Sequence, residues 1–276
     1  MADEAVDYTF EAFAQHDFYR TVNEHLVDLT LQVRERLAQS PVHRAVDLAC
    51  GTGAVTQVLV DRVRRLREPV EVIAVDPSES ALEKARRLVG SAARFVRGTA
   101  QAFSNVVGSV DVIVFCNAIH LLPDKERVMR EARRSLNKQG VLGFNTSFYE
   151  GCYAPGTERF YKLWMLRALQ LLKQEEGLKP DRSKVEAMRW LTPEEYRALL
   201  QDNGFDVVDM RTEEARMTCE SWQDISHYSE FATGALPGVP VDVAIPILQR
   251  SVAQAYDELK IETLPRNWLQ VVARAR

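Results

Sequence analysis

The chain has 276 residues, 46% of them hydrophobic and 27% charged, an ordinary composition for a folded globular protein. Its 35 Lys and Arg stand against 39 Asp and Glu, and the net charge of −4 argues against nucleic acid or an anionic membrane as the main partner. No apolar run approaches membrane-spanning length, Met1-Ala2-Asp3-Glu4 opens without a signal-peptide pattern, and Cys50, Cys116, Cys152 and Cys219 form no CxxC pair. A cytoplasmic chain with free, buried thiols and no metal site is the expectation.

Residues 9–38 read as helical, with Leu26, Leu29, Leu31, Val33 and Leu37 as apolar positions. Ala45 to Ala49 is a short apolar strand, Gly51-Thr52-Gly53 a tight turn, and 54–67 a helix. There Arg62, Arg64, Arg65 and Arg67, with Asp61 and Glu68 beside them, read as a solvated face. Val72 to Val75 is a second strand, followed by a helix over 79–89 capped by Ser78. Arg94 to Val96, Val110 to Phe115 and Val141 to Phe144 are further strands, with a helix over 123–136 between the last two.

Such alternation predicts an α/β fold, a mostly parallel Rossmann-like sheet with helices on both faces and right-handed crossovers. Beyond residue 148 come a helix over 157–175, a capping-box start at Thr192-Pro193-Glu194-Glu195, a strand over 205–210, helices within 220–260 and a last strand over 268–272, which makes seven strands. The expected organisation is an N-terminal helical lid (1–40), a core (41–148), a second lid segment (149–190), and a C-terminal part of the core (191–276) with a helical insertion at 219–262. Lid segments are expected over the carboxyl edge of the sheet, where open α/β sheets bind ligands. Packing is the reading favoured for Phe160, Trp164 and Met165 on the helix over 157–175.

Asp47 lies near the end of the first strand, ahead of Gly51 and Gly53, which permit positive φ and close backbone approach. Asp76 ends the second strand, where doubly wound nucleotide sites keep a ribose-binding carboxylate. Together they point to an adenosine with free ribose hydroxyls. A dinucleotide fingerprint would need a third glycine where Thr56 stands, and the turn carries no basic residue for a pyrophosphate, so NAD loses ground.

Asp47-xxx-Gly51-x-Gly53 with Asp76 resembles the cofactor site of class I S-adenosylmethionine-dependent methyltransferases, over most of residues 42–148. The resemblance implies that Asp47, Gly51 and Gly53 lie against the methionine part of S-adenosylmethionine. Asp76, followed by Pro77, takes the ribose hydroxyls. Ala49 stands where many members have a glycine. Gly98-Thr99-Ala100-Gln101 matches a segment that often reads Gly-Asp-Ala-Glu and helps hold the adenine, with Thr99 replacing the acid. Asn117 matches the position whose backbone meets the methionine amino group, and Tyr19 is read as closing over the cofactor, with packing as the alternative.

His120 follows the fourth strand and Glu150 the fifth, so adjacent strand ends suggest a His/Glu pair acting as general base, with a structural histidine and a solvated carboxylate as the competing readings. The segments Asn117 to Leu122 and Phe144 to Gly151 also resemble the O-methyltransferase domains of polyketide assembly lines. That resemblance implies O-methylation of a hydroxyl on a small-molecule, polyketide-like or acyl acceptor, linked to a carrier protein in such systems. The alternatives are C- or N-methylation of another small metabolite, an NAD-dependent oxidoreductase, and a non-catalytic binder of an adenosyl ligand.

Overall fold

A computed structural model of the chain describes residues 10–38, 40–181 and 189–276. Residues 1–9 of the expected N-terminal segment and 182–188 of the 149–190 segment lie outside the described residues. Seven strands are present: β1 (Arg44–Leu48), β2 (Glu71–Asp76), β3 (Arg94–Arg97), β4 (Val110–Cys116), β5 (Leu136–Thr146), β6 (Phe205–Thr218) and β7 (Thr263–Ala275). They form one sheet in the order β3-β2-β1-β4-β5-β7-β6. The first five strands are parallel, and β7 runs antiparallel to β5. This is the expected Rossmann-like sheet. β1 and β4 are neighbours although β2 and β3 intervene in sequence, so the strand order reverses there and opens a crevice at the carboxyl ends.

Contacts divide the chain into two units. One comprises Tyr19–Cys152, Met188–Glu214 and Asn267–Arg276. Strands β1, β2, β4 and the second half of β5 are buried on both faces, as the near-continuous apolar runs predict, while the edge strands β3 and β6 are partly exposed. Along β4, Val110, Ile113 and Phe115 enter one hydrophobic layer, while Val112, Val114 and Cys116 enter the other with Leu26, Val27 and Leu31 of the helix Asp17–Leu37. That helix sits directly on β5 because Gly143 has no side chain: a Cβ there would overlap the Thr30 hydroxyl and lie 3.1 Å from the Thr30 Cβ.

Local signals in the sequence act as read. Ser78 accepts from the Ala81 N–H at 3.3 Å, and the Thr192/Glu195 capping box closes in both directions. Two readings change. The first helix is broken at Gln15–His16, giving Glu11–Ala14 and Asp17–Leu37. Arg62 is not a solvated residue: its guanidinium binds Asp28 at 2.7 Å and Glu24 at 3.2 Å, tying the helix Ala54–Val63 to Asp17–Leu37.

The second unit comprises Met1–Phe18, Tyr153–Ala187 and Ala215–Arg266. Its core is aromatic. Phe160 and Trp164 are buried against Trp222 and Tyr256, and Trp164 Nε1 donates to the Leu248 carbonyl at 3.1 Å. Packing therefore occupies both side chains, as favoured. No helix among the described residues is long and apolar enough to cross a membrane.

Candidate cofactor and active site

The site is assembled in the first unit from the carboxyl ends of β1, β2, β4 and β5. After β1 the chain must turn sharply into the helix Ala54–Val63, and Ala49 (φ 57°), Gly51 (φ 51°) and Gly53 (φ 93°) all take left-handed conformations to do so. The two glycines serve different ends. A Cβ on Gly51 would meet nothing within 4 Å, leaving backbone open to a ligand, whereas one on Gly53 would stand 3.0 Å from the Ala85 backbone.

Asp47 is buried and accepts the Thr56 hydroxyl at 2.6 Å. Burial pushes its pKa up to about 7; the Thr56 hydrogen bond works against that rise and the Asp76 charge adds to it. Asp76 accepts the Gly51 N–H at 2.9 Å on one oxygen and the Ser78 N–H at 2.9 Å on the other. Burial raises its pKa too, and those two N–H groups oppose the rise. Two carboxylates thus converge on one glycine turn. Each carboxylate oxygen can accept more than one hydrogen bond, so Asp76 keeps capacity for a diol while it shapes the turn.

Pro77 and Thr99 are exposed, Gln101 is half-buried, and Ala100 is buried. The Pro77 carbonyl accepts Arg97 Nε at 3.2 Å, and the Gln101 carbonyl accepts Arg127 Nε at 3.0 Å, so both loops are pinned by arginine. Asn117, just past β4, is left-handed at φ 49°. Its N–H donates to both the backbone and the side-chain oxygens of Asn145, at 3.0 and 2.9 Å.

His120 lies in a short 3-10 turn, Ile119–Leu121, its ring 4.3 Å from that of Phe148 between centroids. Its Nδ1 is 3.1 Å from Thr146 Oγ1, which also accepts the Phe148 N–H at 3.0 Å. Glu150 is exposed, with its own N–H bound to the Leu191 carbonyl at 3.0 Å. Thr146, rather than Glu150, lies within hydrogen-bonding distance of His120 Nδ1. Strand β5 stops at Thr146, and the turn after it carries the Glu150 side chain out to solvent.

Four residues of this arrangement escape a reading by motif. Thr56 stands out in sequence only as the place where a glycine is missing, yet it is the partner of Asp47. Thr146 and Asn145 lie inside an apolar-looking strand, and Asn23 inside an amphipathic helix; two buried asparagines there were the available signal. The Tyr19 ring is buried, and its carbonyl accepts Asn23 Nδ2 at 2.8 Å.

The turn thus brings together two buried carboxylates, open backbone at Gly51 and no basic residue. Residues 45–140 match the family model described as a methyltransferase domain. The chain is 26% identical over 192 residues to the demethylmenaquinone methyltransferase of Thermotoga maritima, covering 67% of this chain and 76% of that protein. It is 26% identical over 130 residues to a non-reducing polyketide synthase of Emericella nidulans, covering 45% of this chain but 5% of the synthase. The crystallised loganic acid methyltransferase with S-adenosylhomocysteine shares the fold, with a TM-score of 0.65 at 11% identity over 99% of this chain and 98% of that one. Residues 45–140 thus form a methyltransferase domain, carried on the sheet of the class I S-adenosylmethionine-dependent fold, with S-adenosylmethionine as the cofactor.

Proposed function

We propose that the chain methylates a hydroxyl of a small, acyl or polyketide-like acceptor, linked to a carrier protein, with His120 as proton acceptor. The observation that carries the reading is His120 at the β4 edge, held by Thr146 on its Nδ1 side. The match to a polyketide synthase segment supports the acceptor class.

The cofactor supplies an electrophilic methyl on a sulfonium. Thr146 Oγ1 accepts from Phe148 and has a second lone pair for His120 Nδ1–H; the mechanism uses the tautomer with that bond, in which the basic lone pair lies on Nε2. An aliphatic hydroxyl near pKa ~16 and an imidazole near ~6.5 differ by ~13 kcal/mol, which disfavours full ionisation before transfer. The acceptor proton moves to Nε2 as the new carbon–oxygen bond forms, a contribution of ~10²–10⁴-fold. Asp47, Gly51, Asp76 and Asn117 bind and orient, and much of the remaining acceleration is positioning.

The test is mass spectrometry for the gain of one methylene unit across carrier-linked β-hydroxyacyl, phenolic and amine acceptors. His120→Ala should lose ~10²–10⁴-fold in turnover at unchanged cofactor affinity; wild-type turnover would return the residue to a structural role. Glu150→Gln separates the two arrangements of the base. A loss matching that of His120→Ala places the carboxylate in the relay, and a wild-type rate leaves orientation to Thr146. A second reading, methylation at carbon, is favoured by the 21% identity over 174 residues to the ubiquinone/menaquinone biosynthesis C-methyltransferase of Campylobacter jejuni; fragmentation of the product, which locates the new methyl on oxygen, carbon or nitrogen, decides it.

A further inference from the structure

A line of buried amides runs from the helix Asp17–Leu37 to the strand ends, all within the first unit. Asn23 Nδ2 donates to the Tyr19 carbonyl at 2.8 Å, and Asn145 Nδ2 donates to Asn23 Oδ1 at 2.8 Å. Asn145 Oδ1 then accepts the Asn117 N–H at 2.9 Å, while Asn117 Oδ1 accepts the N–H and hydroxyl of Ser147 at 3.2 and 3.3 Å. One terminus of the Tyr19-to-Asn117 stretch is a carbonyl, an acceptor only; the other is a backbone N–H, a donor only. Two amides between such termini have one polarity, so the orientation of both side chains is dictated by their partners.

Asn is a poor strand former, and burying its amide is costly unless both ends are matched. An apolar residue would fill the same volume inside β5 at less risk. The placement is repeated next door: Gln270, paired with Asn145 across β5 and β7, donates to the Val22 carbonyl at 3.1 Å. Gly143, two residues before Asn145 on the same face of β5, lets the helix approach. Helix and strand end are thus joined at adjacent residues, Val22 and Asn23.

We infer that Asn145 and Asn23 are positioning residues that couple the seat of the helix Asp17–Leu37 to the left-handed backbone at Asn117, so that cofactor affinity depends on a helix-borne amide. The inference rests on the cofactor reading, because Asn117 is assigned there to the methionine end.

The experiment uses the full chain and S-adenosylhomocysteine as probe, by calorimetry well below the melting temperature. Asn145→Asp keeps an acceptor for Asn117 but cannot donate to Asn23 while ionised, and affinity should fall about tenfold or more at pH 8. Once protonated, the new carboxyl offers one donor and one acceptor like the amide it replaces. The ratio of variant to wild-type affinity should therefore return toward one by pH 5.5. Cys116 and Gln270, which flank Asn145 across the sheet, are uncharged. The charged groups behind them are Asp47, which acts on Cys116, and Glu213, which accepts from Gln270 Nε2. Both are present in wild type and variant, so the ratio divides out their own titration. Asn23→Ala cuts the link on the helix side, leaves the Asn145–Asn117 contact, and should weaken binding severalfold with faster amide exchange in residues 19–27.

A merely structural role lowers the melting temperature and leaves affinity at the wild-type value in both variants; that result overturns the coupling. If Asn145→Asp fails to fold, Asn23→Ala decides alone, and unchanged affinity overturns it. Absence of binding by the wild-type protein would overturn the cofactor reading, and this inference with it.

Discussion

The hydroxyl of Thr56 donates across 2.6 Å to Asp47, a carboxylate whose pKa burial raises to about 7. A cation placed beside Asp47 favours its ionised form. Binding of S-adenosylmethionine below pH 7 should therefore release a proton, and affinity should rise by up to about tenfold per unit between pH 5.5 and 7, then level off. Calorimetry in buffers of different ionisation enthalpy measures both effects. A flat affinity over that range would take Asp47 out of the ligand's reach.

The same shift has a sign for stability. The folded pKa is raised, so the contribution of Asp47 is fully present below the unfolded value near ~3.9 and is lost as pH climbs toward 7. Asp47→Asn, which still accepts from Thr56, should melt several degrees higher than the wild type at pH 7.5 and bind cofactor more weakly. Equal melting temperatures at that pH would mean the carboxylate bears no such strain.

Asp76 divides its oxygens between Gly51 and Ser78, so Asp76→Ala should loosen the turn and remove a charged partner of the ribose diol together. Cofactor affinity should drop roughly tenfold or more, with Asp76→Asn in between. Unchanged binding in a titration would remove the residue from the site.

Gly143→Ala should cost roughly 1–3 kcal/mol in denaturant unfolding, because the new methyl collides with Thr30 on the overlying helix. Adding Thr30→Ala removes the hydroxyl and methyl of that side chain but not its Cβ, so recovery should be partial and the two changes non-additive. Strictly additive losses would show that the helix simply moves away.

At the opposite edge of the sheet, Asp111 accepts the His43 and Arg44 N–H groups and Asn137 Nδ2, with buried Arg34 at 3.8 Å. Burial alone would raise its pKa; the three hydrogen bonds and the Arg34 charge prevail and hold it below the usual carboxylate range. With the folded value depressed, this stabilisation is present above pH ~3.9 and fades as pH falls further. Asp111→Asn should flatten the acid limb of the stability curve, and an unchanged limb would assign acid unfolding to other groups.

Strand–helix alternation made the sheet legible in the sequence, since both-face burial writes continuous apolar runs such as Val110 to Phe115. Asp47, the two glycines and Asp76 were legible because each ends or follows a strand, where local chemistry is dictated by neighbours in sequence. Thr56, Asn23 and Asn145 were not, because their side-chain partners lie 9 and 122 residues away and only the packed fold brings them together. Glu150 shows the same limit in reverse: strand order brings its segment near His120, but the turn after β5 decides where its side chain goes.

Gly51 and Gly53 look interchangeable on paper, yet any mutational survey of the loop will find them unequal. At Gly53 an added methyl presses on the Ala85 backbone at 3.0 Å, so replacing it reports damage to the interior. Gly51 offers clear space, so a substitution there, strained in its own backbone as it would be, obstructs whatever docks against the loop. Experiments aimed at recognition rather than at integrity should begin with the former position, two residues upstream.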